Sequence, residues 1–177
     1  MKTKYILFIG LLIFVFGFTP VKQTIINSKA ADFSLKDTNG RRVSLSDYSG
    51  KILIIDFWAT WSSSSLNTLR VLENLRHEYS DRNVEVIGIA ILSKETDIPK
   101  RIADSRASFP ILLGDRSLIA KYGNFSTIPN TFIIDERGFV KHEISGNFKA
   151  KTIKNLLNKL INQSQLNLDH SGAVAKE

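Results

Sequence analysis

Cysteine is absent from all 177 residues. That absence excludes a disulfide framework, cysteine-ligated zinc, iron–sulfur clusters, c-type haem attachment and every cysteine-nucleophile mechanism. Histidine is scarce: His77, His142 and His170 are the only three, and nothing in the sequence sets one beside a candidate nucleophile as its base. No internal repeat is present, and a second core would be too small to bury enough surface. One globular domain with short extensions is therefore expected. The formal net charge of +7 raises nucleic acid as a partner, but the basic residues are scattered and form no aromatic-interleaved stripe along which a phosphate backbone could run. No nucleic acid, metal or cofactor is expected, and the charge reads as a solvated basic surface.

What is present begins with a targeting segment. Lys2 and Lys4 precede an uncharged apolar run from Tyr5 to Phe18, the pattern of an export signal whose charged end stays in the cytoplasm. Two outcomes are open. Cleavage would leave a periplasmic or secreted protein, and retention would leave a domain anchored at the extracytoplasmic face of the cell membrane. The uncharged stretch reaches Val21, near the lower limit for a spanning helix. No small-x-small site lies close behind Phe18, and Ser28-Lys29-Ala30-Ala31 is late and carries a lysine, which favours retention. A lipid anchor would need a cysteine. The expected organisation is a signal peptide or anchor at 1–21, a linker at 22–30, a domain at 31–162 and a polar, disordered tail at 163–177.

Within the domain, Phe33 to Leu35 and Val43 to Leu45 flank Asp37-Thr38-Asn39-Gly40, whose Asn-Gly pair predicts a tight hairpin at a sheet edge. Ile52 to Phe57, interrupted only by Asp56, and Val84 to Leu92 are β-branched-rich runs of the kind that form strands covered on both faces. Between them Leu66, Leu69, Leu72, Leu75 and Tyr79 recur at near-helical spacing, so the serine run Ser62 to Ser65 opens a helix. Pro99 suits the first turn of a second helix running to about Ser105. Ile111 to Leu113 predicts a short strand and Ser117 to Tyr122 a helical stretch. Phe132 to Asp135, Glu136-Arg137-Gly138 and Phe139 to Ile144 make an antiparallel hairpin. A final amphipathic helix carries Ile153, Leu156, Leu157, Leu160 and Ile161 on one stripe, and docking on the sheet is preferred to a membrane-surface role.

The segment Ile55-Asp56-Phe57-Trp58-Ala59-Thr60-Trp61-Ser62-Ser63-Ser64-Ser65 runs from a buried strand through two tryptophans into a helix. It resembles the active-site segment of the thioredoxin superfamily, in which Phe-Trp-Ala-x-Trp precedes Cys-x-x-Cys. Ser62 and Ser65 occupy the two cysteine places. Ala31-Asp32-Phe33-Ser34-Leu35 with Gly40, then Val43 to Lys51, is similar to the approach to the first long strand in TlpA/ResA-like thiol-disulfide oxidoreductases. Phe109-Pro110-Ile111-Leu112, Tyr122-Gly123 and Ile128 to Asp135 with Gly138 resemble the second half of that family. The resemblance covers about residues 31 to 162. It implies an α/β thioredoxin-like fold, with a mixed central sheet flanked by helices and an N-terminal hairpin extension. It also implies that Pro129 is the cis-proline facing the motif, with Trp61, Ile128 and Pro129 forming a groove in which the Ile128 backbone faces an extended segment.

As written, the site lacks the thiols for exchange. One thiolate attacks a disulfide and a second thiol resolves the mixed species, whereas a serine hydroxyl is far less acidic and forms no exchangeable bond to sulfur. Ser62 to Ser65 read on their own merely cap and begin a helix. Asp56 interrupts an apolar strand where an unpaired carboxylate is costly. The resemblance makes it the counterpart of a buried acid that assists the second cysteine; a structural remnant hydrogen-bonded nearby is preferred to an active acid–base group. The family's glutamate after the second central strand falls at Ser93, with Glu95 close by. Three functions are weighed: a redox-inactive relative that binds an extended peptide or partner protein outside the cytoplasm, a Cys-to-Ser form of an oxidoreductase of cytochrome c maturation or disulfide reduction, and a structural domain tethered to the membrane.

Overall fold

A computed structural model describes the backbone of residues 25–174 and the side chains of residues 25–166. The expected signal or anchor at 1–21 lies outside the described residues. Among the described residues no helix is long and apolar enough to cross a membrane.

Five strands form the central sheet: β3 (Ile52–Trp58), β4 (Val84–Ala90), β5 (Ile111–Leu113), β6 (Asn130–Ile134) and β7 (Val140–Ser145). Their order is β5-β4-β3-β6-β7. β3 and β4, and β4 and β5, pair in parallel, while β6 pairs antiparallel with β3 and β7. The sheet is therefore mixed. The parallel β3–β4 pair needs a crossover, and α1 (Ser63–Glu78) supplies it.

Every residue of β3 is buried, because helices cover both faces and alternate side chains enter different layers. Ile52, Ile54 and Trp58 meet Leu69, Leu72 and Leu75 of α1 and Ile153, Leu157 and Leu160 of α4 (Ala150–Val174) on one face. Leu53, Ile55 and Phe57 meet Phe132, Phe125, Tyr122 and Leu118 on the other, where α3 (Arg116–Lys121) packs. The final helix thus docks on the sheet, and each of its fully buried aliphatic side chains contributes roughly 2 kcal/mol of transfer free energy. α2 (Ile98–Ser105) carries Pro99 in its first turn, where no amide hydrogen is needed.

Three local expectations differ from the structure. The hairpin of β1 (Ser34–Lys36) and β2 (Arg42–Ser44) is a separate two-stranded sheet, touching β5 through an Asp37–Leu112 bridge. Its connection, residues 37–41, is longer than the tight turn expected of Asn39-Gly40. Lys36 pairs with Arg42, and the Asp37 carboxylate accepts the backbone N–H groups of Asn39 (2.9 Å) and Arg41 (2.8 Å). Only Gly40 takes positive φ there (80°). A buried aspartate competes for turn amides, so the longer loop forms.

The linker expected at 22–30 is not a free tether over its described part. Asn27 donates to Val140, Ala30 to Gly138, and Val140 to Ser28, while Ile25 and Ile26 pack on the core. Two isoleucines that looked unpatterned in sequence are held by tertiary contact. The final helix also continues to Val174, through residues expected as a disordered tail from 163.

Candidate functional site

The site lies where β3 ends and α1 begins, at the carboxyl end of the parallel strands, where α/β folds place binding sites. The chain leaves Trp58, turns through Ala59 to Trp61 and enters α1 at its N-cap, Ser62. Ser62 Oγ accepts the Ser65 N–H at 3.3 Å. Ser65 Oγ in turn accepts the Ala59 N–H at 3.3 Å. Both serines are buried, Ser65 completely and Ser62 to within 7%. The capping role read from sequence is thus present.

The Ile128–Pro129 bond is cis, as the resemblance implied. Ser62 Oγ lies 3.5 Å from the Ile128 carbonyl, so the serine motif and the cis-proline segment meet. Among the described residues nothing accepts the Ile128 N–H. Trp61 is 63% exposed, although its indole N–H donates to the Leu92 carbonyl at 3.0 Å. An exposed indole pinned by one hydrogen bond offers a rigid apolar face at little entropic cost.

Beneath the motif, Asp56 is fully buried. Thr131 Oγ1 donates to its Oδ1 at 2.6 Å, while Oδ2 has no partner. Burial outweighs the Thr131 hydrogen bond and pushes the Asp56 carboxyl up to about 7. This is the hydrogen-bonded buried acid expected from sequence. Ser93, where the resemblance set a glutamate, accepts the Thr60 N–H at 2.9 Å and donates to the Ile91 carbonyl at 3.0 Å. It braces the tryptophan turn, and Glu95 instead opens a short 3-10 turn ending at Asp97.

No described histidine hydrogen-bonds to Ser62 or Ser65. His77 is exposed and sits 2.8 Å from Glu73, and His142 lies on β7 with its pKa lowered by burial and by Lys159 and Lys141. Among the described residues neither serine therefore has a histidine as its base. Among the described residues no cluster of three or more His, Asp or Glu is placed to hold a metal ion. Two features escaped sequence reasoning. Leu92 adopts positive φ (50°) and is 42% exposed, which no local signal announces. Trp58 of the same motif is buried with its indole nitrogen unpartnered, which the sequence does not announce.

Comparisons with known proteins fit this geometry. The chain is 29% identical to the thiol-disulfide oxidoreductase ResA of Geobacillus kaustophilus over 82% of its length and 84% of the relative's. It is 32% identical to the thioredoxin-like protein YneN of Bacillus subtilis over 73% of its length and 76% of the relative's. A thioredoxin family thiol:disulfide interchange protein from Chlorobium tepidum superimposes with a TM-score of 0.70 at 19% identity, covering 78% of this chain and 99% of the other. The thioredoxin domain of a thiol-disulfide oxidoreductase from Bacteroides vulgatus gives 0.69 at 20% identity, covering 78% and 99%. These likenesses establish the thioredoxin-like fold. With the AhpC/TSA family model matching residues 26–143, the chain belongs to that family, as a thioredoxin-like member carrying serine at both redox-cysteine positions.

Proposed function

We propose that this protein is a redox-inactive, thioredoxin-like module that binds an extended peptide or partner segment outside the cytoplasm, in the former active-site groove. The observation that carries the reading is Trp61: a large indole left 63% exposed yet held in place by the Leu92 carbonyl. Surface aromatics with fixed orientation are the common anchors of protein recognition. The Ile128 N–H, free among the described residues, adds a backbone donor for an extended chain. Lost thiols remove exchange chemistry but leave these binding groups in place. The extracytoplasmic placement rests on the basic-then-apolar N-terminal pattern.

Reduced and alkylated ribonuclease, an extended chain without free thiols, is a direct probe. The full chain in mild detergent is expected to retain it, and a Trp61→Ala/Ile128→Asp variant is expected to release it. Equal retention by a folded variant would overturn the reading. A second reading is that of an oxidoreductase represented in Cys-to-Ser form, favoured by the undisturbed Ser62 cap and buried Ser65. Mass spectrometry of the protein from its source organism, after alkylation, separates the two: alkylated cysteine at 62 and 65 supports the second.

A further inference from the structure

Trp61 has a second role in the surface. Besides bordering the groove, it walls a cleft of about 450 Å³ with Thr60, Thr96, Asp97, Lys100 and Arg101. The cations come from the first half of α2, and their partners are unequal. Lys100 Nζ holds Asp104 Oδ2 at 2.9 Å, a bond that keeps the Asp104 carboxyl below the usual carboxylate range. Arg101 reaches the same oxygen only at 4.0 Å, beyond hydrogen-bonding distance. Its side chain is two-thirds covered, and among the described residues no hydrogen bond fills its guanidinium donors.

Counted by formal charge, Lys100 and Arg101 balance Asp97 and Asp104, so no strong field draws anions to the cleft. Selectivity must come from geometry. A guanidinium presents parallel N–H donors that match the two oxygens of a carboxylate. Beside it, Trp61 offers an apolar face for the methylene stem of such a side chain. Asp97 is exposed, and its carboxylate accepts only the Thr96 hydroxyl at 3.4 Å. It stands at the N-cap of α2 without a side-chain capping hydrogen bond, and among the described ion pairs Arg101 meets Asp104 alone, so the Arg101 fork is open.

We propose that this cleft is a specificity subsite taking an aspartate or glutamate side chain of the peptide bound in the groove, with its stem on Trp61 and its carboxylate on Arg101. The proposal rests on the peptide-binding reading above and names the sequence feature that such a peptide carries.

Panning a random dodecapeptide phage library on the full chain in mild detergent tests it. Selected peptides are expected to be enriched in Asp or Glu at one position. Exchanging that acid for its amide in a synthetic copy should weaken binding about tenfold, the usual scale for a charge-assisted hydrogen bond. Arg101→Gln should reduce the acid-to-amide ratio to under about twofold, and Arg101→Lys, which keeps the charge but not the fork, should fall between. Selected peptides without acid preference, or an acid-to-amide ratio unchanged in Arg101→Gln, would overturn the subsite and leave the groove reading standing. Failure of the parent to select any peptide would sink both. If Arg101→Gln does not fold, the acid-to-amide comparison on the parent decides alone, and equal affinities overturn the proposal.

Discussion

Thr131 and Asp56 face each other across the antiparallel β3–β6 pair, joined by a 2.6 Å hydrogen bond from hydroxyl to carboxylate. That bond satisfies one carboxylate oxygen, and the other has no partner. For a fully buried carboxyl the charged form is then the costly one.

Asp56 therefore sets a pH dependence whose sign follows from its raised pKa. The folded carboxyl titrates at about 7 against an ordinary 3.8, so the folded state binds more protons than the unfolded state between those values. Stability is fully present below about pH 4, declines as pH rises towards 7 and is lowest above it. The full span amounts to roughly 4 kcal/mol at 1.4 kcal/mol per pH unit. Asp56→Asn should keep the Thr131 hydrogen bond, remove this slope and melt at higher temperature than the parent at pH 8.5. Urea titrations at pH 5 and pH 8.5 check it, and an Asp56→Asn variant with the parent's slope would refute the assignment.

Glu73 acts in the opposite sense. Burial works to raise its pKa, but hydrogen bonds from Ser108 and the His77 contact outweigh it and hold the carboxyl below the ordinary glutamate range. The Ser108 N–H and Oγ–H reach it at 2.8 and 2.7 Å, tying α1 to the chain entering β5. Its contribution is present above about pH 4.5, where the unfolded carboxyl is charged, and is lost as pH falls through the lower folded value. Glu73→Ala should cost about 1–3 kcal/mol at pH 7 by removing the two hydrogen bonds from Ser108 to a charged carboxylate, and proportionately less at pH 3. Chemical denaturation at both pH values reads the difference.

Gly88 pairs beside Asp56 on β4, and its missing side chain is a packing requirement. A Cβ there would stand 2.6 Å from Ile111 Cδ1, 3.1 Å from Trp58 Nε1 and 3.3 Å from Phe109. Gly88→Ala should cost about 1–3 kcal/mol, the range for overpacking a close-packed core. Because the worst clash is with one terminal methyl, Ile111→Val in the Gly88→Ala background should return part of that loss, giving a favourable coupling in a double-mutant cycle of thermal melts. Strict additivity would mean that the Trp58 and Phe109 contacts dominate.

How much of this was legible in sequence depends on where the signal resides. The β3 and β4 runs and the α1 leucine stripe write their burial in local periodicity, so strands and helix lie close to where the pattern set them. The pair Ser62 and Ser65 is far in sequence from the pair Ile128 and Pro129, and the two came together through the family resemblance alone. Periodicity has no means of relating residues 66 positions apart, the separation of the Ser62–Ile128 contact. The docking of Ile25 and Ile26 depends on the β6–β7 hairpin lying beside them, and the Asp37 loop depends on a side chain capturing backbone amides. Both are tertiary decisions. Arg101, the residue on which the proposed subsite rests, carried no signal in sequence, because the unequal distances of Lys100 and Arg101 from Asp104 are set by the folded helix.

The separation of Ser62 from Ser65 in exposure makes the last expectation, for restored thiols. Ser62 retains slight exposure at the N-cap of a 16-residue helix, whereas Ser65 is fully buried one turn on. A thiol at 62 would meet the positive helix end, which favours its thiolate, and a thiol at 65 would be shielded from large disulfides. Ser62→Cys alone should therefore react with an aromatic disulfide at least about tenfold faster than Ser65→Cys alone and stop at the mixed disulfide. The Ser62→Cys/Ser65→Cys variant should reduce insulin disulfides with dithiothreitol as electron source, because the second thiol can then release the first. The parent should be inert. If the double variant folds, titrates two thiols and still fails to turn over, the groove no longer accepts disulfide-bearing chains. The loss of function then extends beyond two sulfur atoms, and the site's present ligand must be sought by the contacts of Trp61 rather than by its ancestry.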